Sequence, residues 1–213
     1  MSDSVAKLKP NRVIMKSEKT VGFNILVTAV EVRPNVSLVT ETSGNVKRGI
    51  VVDSGIQISL AKIYAVGNCT EGYDISCGDT RVLALLPNAY MQERTAGVNM
   101  AGERRALTTS FLINSVGFLG LHIMTAESSY VTEKDGGAVY MQKIGTACKK
   151  FIVCSGLLKG YILIDKVERD GIYTSLIREQ IPLDTVDFDL LKENAIFMAF
   201  SAAEREKKFG GVA

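Results

Sequence analysis

Two segments of the chain combine residue types that suit a ligand site. The first, Ile63-Tyr-Ala-Val-Gly-Asn68, is a short apolar run that reaches a glycine. We interpret it as a buried strand that stops where the backbone must approach another group closely, because glycine has no side chain to clash. The second, Leu86 to Gly102, has proline at its second position and glycine at its end, which predicts a helix. A strand, a ligand-facing loop and a helix N-terminus are the parts that hold dinucleotides in α/β folds.

The surrounding sequence predicts an incomplete α/β unit. Its expected elements are a short helix from Val36, strands at Ile50 to Val52 and Lys62 to Val66, a polar loop at Asn68 to Thr80, and the helix from about Pro87. Upstream, Arg12 to Met15 and Phe23 to Thr28 predict a hairpin. Pro34 halts its second strand, because proline fixes φ and favours extended geometry in the preceding residue.

The pattern after Glu103-Arg104-Arg105 changes to strands, which predicts an antiparallel sheet. The predicted strands are Phe111 to Ile113, Leu121 to Thr125, Ala138 to Lys143, Lys149 to Val153 and Leu157 to Ile164. A helix over Asp170 to Gln180 places Ile172, Leu176 and Ile177 on one face. A second amphipathic helix is expected from Asp189 to about Lys208, before Gly210-Gly211. Both helices are expected to pack on the sheet.

Composition limits the classes of function. The chain has 213 residues, of which 46% are hydrophobic, and a net charge of +2. This favours a folded, soluble protein and argues against nucleic-acid binding, since no basic stripe is interleaved with aromatic residues. The N-terminus lacks a secretory apolar core, which points to the cytoplasm. We interpret the most apolar stretch, Ser110 to Ala126, as a strand, a bend and a strand in the core, with a membrane helix as the alternative.

The remaining polar residues give no independent catalytic or metal site. The four cysteines, Cys69, Cys77, Cys148 and Cys154, lack C-x-x-C spacing and are expected to be thiols, of which Cys69 follows the first segment. His122, the only histidine, is expected to be structural. The acidic residues between Glu71 and Asp79 are expected to be solvated loop charges without calcium-loop spacing. No catalytic residue is assigned.

Five motifs, in order, resemble the C-terminal part of the FAD-dependent pyridine nucleotide-disulfide oxidoreductases, of the rubredoxin reductase, NADH oxidase and nitrite reductase type. They are Ala29-Val-Glu-Val-Arg-Pro-Asn35, Arg48-Gly-Ile-Val-Val-Asp53, Ile63 to Asn68, Leu86 to Gly102, and Asn114-Ser-Val-Gly-Phe-Leu-Gly120, and Gly160 to Arg178 continues the match. In that family the N-terminal half carries the Gly-rich fingerprints for FAD and NAD(P)H and any redox-active cysteine. The present chain contains no G-x-G-x-x-G.

The resemblance implies an α+β fold, in which an incomplete FAD-binding α/β unit precedes a C-terminal antiparallel sheet with packed helices. Residues 1–35 would be a remnant of the nicotinamide-binding domain, 36–105 the C-terminal part of the FAD-binding domain, and 106–213 an interface domain. The implied FAD-contacting residues are Gly67, Asn68, Pro87, Asn88, Ala89 (through its backbone) and Gln92. The helix N-terminus would face the flavin pyrimidine edge, and the alternative is a helix start that is packed in the core. Asn68 stands where the family usually has aspartate, and Glu31 where it usually has a small residue.

Two functions follow from this resemblance. In the first, the chain is part of an oxidoreductase that passes electrons from NAD(P)H through FAD to an acceptor, and the isolated chain is inactive. NAD(P)H would bind only with a complementing N-terminal half. Partners would be further copies of the chain or a complementing flavoprotein subunit, and an electron-acceptor protein. In the second, the chain is a non-catalytic dimerisation or assembly module whose flavin site has decayed.

Overall fold

A computed structural model describes residues 3–29, 33–126 and 137–209, with side chains as far as residue 206. The chain forms two compact units, Met1–Arg33 and Pro34–Ala213. The predicted domain boundaries after residues 35 and 105 stay predictions. Glu31, in the first family motif, and Gly210-Gly211, at the predicted helix end, lie outside the described residues.

The first unit contains an antiparallel sheet in the order β1-β2-β3. Its strands are β1 (Val5–Lys9), β2 (Arg12–Met15) and β3 (Thr20–Gly22). The predicted hairpin is present, but its second strand lies earlier than the expected Phe23 to Thr28. A tight turn, in which the Met15 N–H donates to the Lys19 carbonyl at 2.9 Å, lets pairing start at Thr20. Ile25 and Val27 are exposed.

The second unit begins with a small α/β layer. It contains α1 (Ser37–Glu41), β4 (Ile50–Val51), β5 (Thr70–Asp74), β6 (Asp79–Val82) and α2 (Leu86–Met100). Strand β4 pairs with β5 in parallel, and β5 pairs with β6 antiparallel. The expected helix is confirmed as α2, with proline in its first turn and Gly102 at φ 96° after its end. Tertiary packing buries Val39, Ile50 and Ile56 between these elements.

Two predictions in this layer were wrong. Lys62 to Val66 is not a strand, since its backbone forms only an isolated bridge between Tyr64 and Gln57. Ile63 and Val66 are 47% and 40% exposed, so the segment is not buried either. Asn68 to Thr80 is not a polar loop, because it contains β5, a turn and the start of β6.

The C-terminal part contains a five-stranded antiparallel sheet in the order β7-β8-β11-β10-β9. The strands are β7 (Ile113–Phe118), β8 (Leu121–Ala126), β9 (Ala138–Ile144), β10 (Ala147–Cys154) and β11 (Leu157–Ile164). The predicted antiparallel sheet is confirmed. Its first strand starts at Ile113 instead of Phe111, because Phe111 is buried in the core before the hairpin begins.

Short helices pack on this sheet. Helix α3 (Gly171–Arg178) buries Ile172, Leu176 and Ile177 as predicted. The long helix expected from Asp189 to Lys208 is divided into α4 (Phe188–Glu193), a 3₁₀ turn (Phe197–Ala199) and α5 (Ala202–Phe209). Helix α4 ends at Asn194, whose φ of −138° is extended. The mixed α+β fold class inferred from the sequence is therefore confirmed.

The apolar stretch from Ser110 to Ala126 forms the β7–β8 hairpin, so the membrane-helix alternative for this stretch was wrong. Its turn lies at Leu119 and Gly120, both with positive φ. The expected burial was largely wrong, since Phe118 and Leu119 are exposed. His122 is also exposed. Among the described helices, none has the length and hydropathy needed to span a bilayer.

Candidate functional site

The candidate site comprises the turn at Gly67 and the N-terminal half of α2. Gly67 has φ 91°, a left-handed conformation that favours glycine. No described atom lies within 4 Å of the position where a Cβ would be. The chain itself therefore leaves one side of this backbone open, and the glycine is required by conformation and not by crowding within the chain.

Gln92 fixes the Gly67 turn to α2. Its Oε1 accepts hydrogen bonds from the Gly67 N–H at 2.7 Å and from the Thr70 hydroxyl at 3.0 Å. Gln92 and Thr70 are 3% and 1% exposed. The Thr70 hydroxyl also lies 2.9 Å from the Gly67 carbonyl oxygen. Gln92 thus contacts the turn from behind, and its side-chain oxygen is already used within the chain.

Asn68 follows the Gly67 turn and is exposed. Its amide can accept one hydrogen bond through the carbonyl oxygen, without the charge that a carboxylate would add. Cys69 is partly buried, and its Sγ lies 3.5 Å from the Val66 carbonyl oxygen. All four cysteines are free thiols, as expected.

The first turn of α2 offers fewer free donors than the sequence indicated. Pro87 is exposed and has no N–H. The N–H groups of Asn88 and Ala89 each donate to the Leu85 carbonyl at 3.1 Å. Ala89 therefore uses within the helix the backbone donor that was expected to face a ligand. The positive end of the helix dipole remains at this terminus.

Asn88 is directed into the protein. It is 0% exposed, and its Nδ2 donates to the Phe111 carbonyl at 3.0 Å. This bond ties the start of α2 to the segment that leads into β7. Its Oδ1 is buried and has no hydrogen-bond partner among the described residues. The expectation that Asn88 contacts a ligand stays untested, and the buried amide has a clear role in holding the helix.

A buried carboxylate that the sequence did not predict supports the same layer. Glu71 is 6% exposed, and its Oε2 accepts from the backbone N–H groups of Arg48 and Gly49, both at 3.0 Å. A Cβ on Gly49 would lie 3.0 Å from the Cys69 carbonyl oxygen. The glycine therefore allows β4 to approach β5 closely. In the sequence, the Arg48-Gly49 pair before the apolar run at Ile50 was the signal that could have indicated this close approach.

A second buried carboxylate fixes the β5–β6 hairpin. Asp74 is 0% exposed and forms an ion pair with Arg81. Its Oδ1 also accepts from the Ser76 N–H at 2.8 Å and from the Ser76 hydroxyl at 2.7 Å. The expectation of solvated loop charges was therefore wrong for Glu71 and Asp74, because both have partners in the fold. Asp79 is exposed.

The Gly67 turn and the start of α2 have some of the features that a flavin site requires. Asn68 and Pro87 are exposed, Gly67 is partly exposed, and the dipole of α2 favours negative charge at the start of that helix. Gln92 holds the Gly67 turn from inside, and Asn88 holds the start of α2. The residues fit one wall of a flavin site, while the chain contains no glycine-rich pyrophosphate loop. No group of side chains suited to a metal ion occurs in the described residues.

Comparison with known proteins shows what the chain as a whole is similar to. Residues 1–92 match the family model described as pyridine nucleotide-disulphide oxidoreductase. The NADH-dependent phenylglyoxylate dehydrogenase subunit epsilon of Aromatoleum evansii is 25% identical over 84% of the chain and 44% of its own length. The NADH-rubredoxin oxidoreductase of Clostridium acetobutylicum is 36% identical over 37% of the chain and 19% of its own length. The chain thus spans less than half of these relatives.

A solved structure extends the comparison to the fold. The crystal structure of an FAD-dependent pyridine nucleotide-disulphide oxidoreductase from Desulfovibrio vulgaris aligns with a TM-score of 0.76 and 16% identity. The alignment covers 95% of the present chain and 55% of that chain. The first 92 residues thus match the family model of the pyridine nucleotide-disulphide oxidoreductases, and the chain shares the fold of a solved structure that bears the same family name.

Proposed function

We propose that the chain is the C-terminal part of an FAD-dependent NAD(P)H oxidoreductase, completed by a dinucleotide-binding half. The observation that carries the proposal is the Gly67 turn, which is open on one side and held to α2 by Gln92. The part-buried Gly67 N–H and the buried Thr70 hydroxyl share one glutamine oxygen, which holds this turn in place. Such a preorganised surface supports a role in binding better than a role in packing alone.

Gly67, Asn68 and Pro87 would form one wall of the flavin site, and Ala89, whose N–H donates to the Leu85 carbonyl, would contribute only through the dipole at the start of α2. When bound, FAD would supply the chemistry that moves electrons from NAD(P)H to an acceptor. The residues of this chain would orient the isoalloxazine edge and stabilise negative charge there through the α2 dipole. The partner would supply the pyrophosphate loop and the NAD(P)H site. A protein with a small iron centre is our candidate acceptor, because a relative is named for rubredoxin.

The flavin content of the native assembly tests this proposal. The chain is tagged in the organism that encodes it and purified under mild conditions, and its visible spectrum is recorded before the cofactor is extracted and identified. We expect flavin absorption bands, about one FAD per chain, and NADH oxidation with an artificial acceptor. A stable assembly without flavin would instead support the second candidate, a non-catalytic assembly module. The replacement of aspartate by Asn68 favours that alternative.

A further inference from the structure

A cleft in the C-terminal part lies at the end of α4, between that helix and strands β9 and β10. Its volume is about 570 Å³, which is in the usual range for small-molecule sites. Its lining includes Lys149, the exposed carboxylates Glu168 and Glu193, and the apolar residues Ile144, Ala147, Ala195 and Ile196. The loop after β11 contributes Lys166 and Arg169 at the rim.

Lys149 is a partly buried cationic residue of this cleft. Its Nζ donates to the carbonyl oxygens of Glu193 and, at 3.5 Å, of Lys192, at the C-terminus of α4. An ammonium group has three N–H donors, and these two carbonyls are its only acceptors in the described residues. The remaining donor is available to a group in the cleft.

The positive charge of Lys149 is only partly compensated. Burial, and then repulsion from Lys166, lower the pKa of Lys149 below its usual value, although Glu168 and Glu193 act in the opposite direction. Glu168, Glu193 and Lys166 are all exposed, so solvent screens their charges alike, whereas Lys149 itself is partly buried. An anion placed between the two lysines would therefore stabilise both ammonium groups.

We propose that this cleft binds a small anion with an attached apolar group, whose carboxylate or phosphate lies between Lys149 and Lys166. The third N–H of Lys149 would donate to the anion, and Lys166 and Arg169 would add charge from the rim. The apolar part would contact Ile144 and Ile196. This site is separate from the Gly67 turn and does not depend on the proposed flavin function.

Titration of the full chain with benzoate and with phenyl phosphate tests the proposal. Calorimetry measures saturable binding, and NMR of the lysine side chains follows Lys149. We expect one site for at least one probe, and a pKa of Lys149 that rises when the probe is bound. The probe that binds more tightly distinguishes a carboxylate ligand from a phosphate ligand.

The main variant is Lys166→Met. Lys166 is exposed, and its loss leaves the hydrogen bonds from Lys149 to the end of α4 intact. We expect its affinity to fall about tenfold or more, since one charge-assisted contact is lost. Lys150→Met is the matched control, because Lys150 neighbours Lys149 on β10 and its side chain lies on the opposite face of the sheet. Affinity unchanged in Lys166→Met, or no saturable binding of either probe, would overturn the proposal.

Discussion

Gln92 links two elements through a single side-chain oxygen. Replacing it with leucine removes the acceptor for the part-buried Gly67 N–H, whereas the Thr70 hydroxyl keeps the Gly67 carbonyl oxygen at 2.9 Å as an acceptor. We expect Gln92→Leu to lower the free energy of unfolding by about 1–3 kcal/mol, measured by urea denaturation. Amide hydrogen exchange at Gly67 should accelerate in the same variant. Gln142→Leu, at an exposed position on β9, should change neither quantity.

Tyr161 links stability to alkaline pH. It is 0% exposed, its hydroxyl lies 2.9 Å from that of Thr174, and burial raises its pKa from 10.0 to about 12. The unfolded chain therefore loses this proton first as the pH rises. The contribution of Tyr161 is complete below pH 10 and is lost towards pH 12.

The expected loss is up to about 1.4 kcal/mol per pH unit from this group between its two pKa values. Unfolding free energies measured at several alkaline pH values should fall less steeply in Tyr161→Phe than in the unmodified chain. Tyr90→Phe removes an exposed hydroxyl and is the matched control. Equal slopes for all three proteins would contradict the assignment.

At the scale of elements, the approach of β4 to β5 depends on Gly49. A Cβ there would lie 3.0 Å from the Cys69 carbonyl oxygen, the Thr70 carbonyl carbon and Val82 Cγ2. We expect Gly49→Ala to destabilise the fold by about 1–3 kcal/mol, because two of these atoms belong to the backbone and cannot rotate away. Thermal or urea denaturation measures this effect.

Gly97 provides the contrasting substitution. It lies on an exposed face of α2, and a Cβ there would meet no described atom within 4 Å. Gly97→Ala should therefore stabilise the fold by about 0.5–1 kcal/mol through higher helix propensity. If Gly49→Ala and Gly97→Ala lowered the free energy of unfolding by similar amounts, local packing would not explain the requirement for glycine at Gly49.

Local sequence signals were sufficient to predict α2 and β11 but not the segment from Ile63 to Val66. Helix α2 was predicted because proline and glycine mark its ends, and β11 because a β-prone run lies between turns. Ile63 to Val66 has a similar apolar pattern, but a strand needs a hydrogen-bonding partner, and among the described residues only Gln57 pairs with this segment. Sequence periodicity alone does not reveal whether that partner exists.

Tertiary contacts explain the division of the predicted C-terminal helix. The Tyr173 hydroxyl donates to the Leu191 carbonyl at 2.6 Å, and Lys149 binds the carbonyl of Glu193. These distant residues bind carbonyl groups that a longer helix would use internally, so α4 ends there. The same distinction applies to the residues of the candidate site, whose ligand contacts stay a prediction. Gly67 and α2 carried local signals, whereas the inward roles of Asn88 and Gln92 depend on Phe111, Thr70 and the Gly67 amide.

At the scale of the whole molecule, the chain would present one wall of the proposed flavin site, and it spans less than half the length of the two relatives compared by sequence. A wall formed by Gly67, Asn68 and Pro87 leaves the pyrophosphate without its glycine-rich loop. We therefore expect the recombinant chain alone to lose added FAD during gel filtration, measured by visible absorbance, and to show no NADH oxidation. A complete family member, treated in parallel, should keep its flavin. A yellow, stoichiometric complex of the isolated chain would show that this wall, alone or in an oligomer, is sufficient for binding.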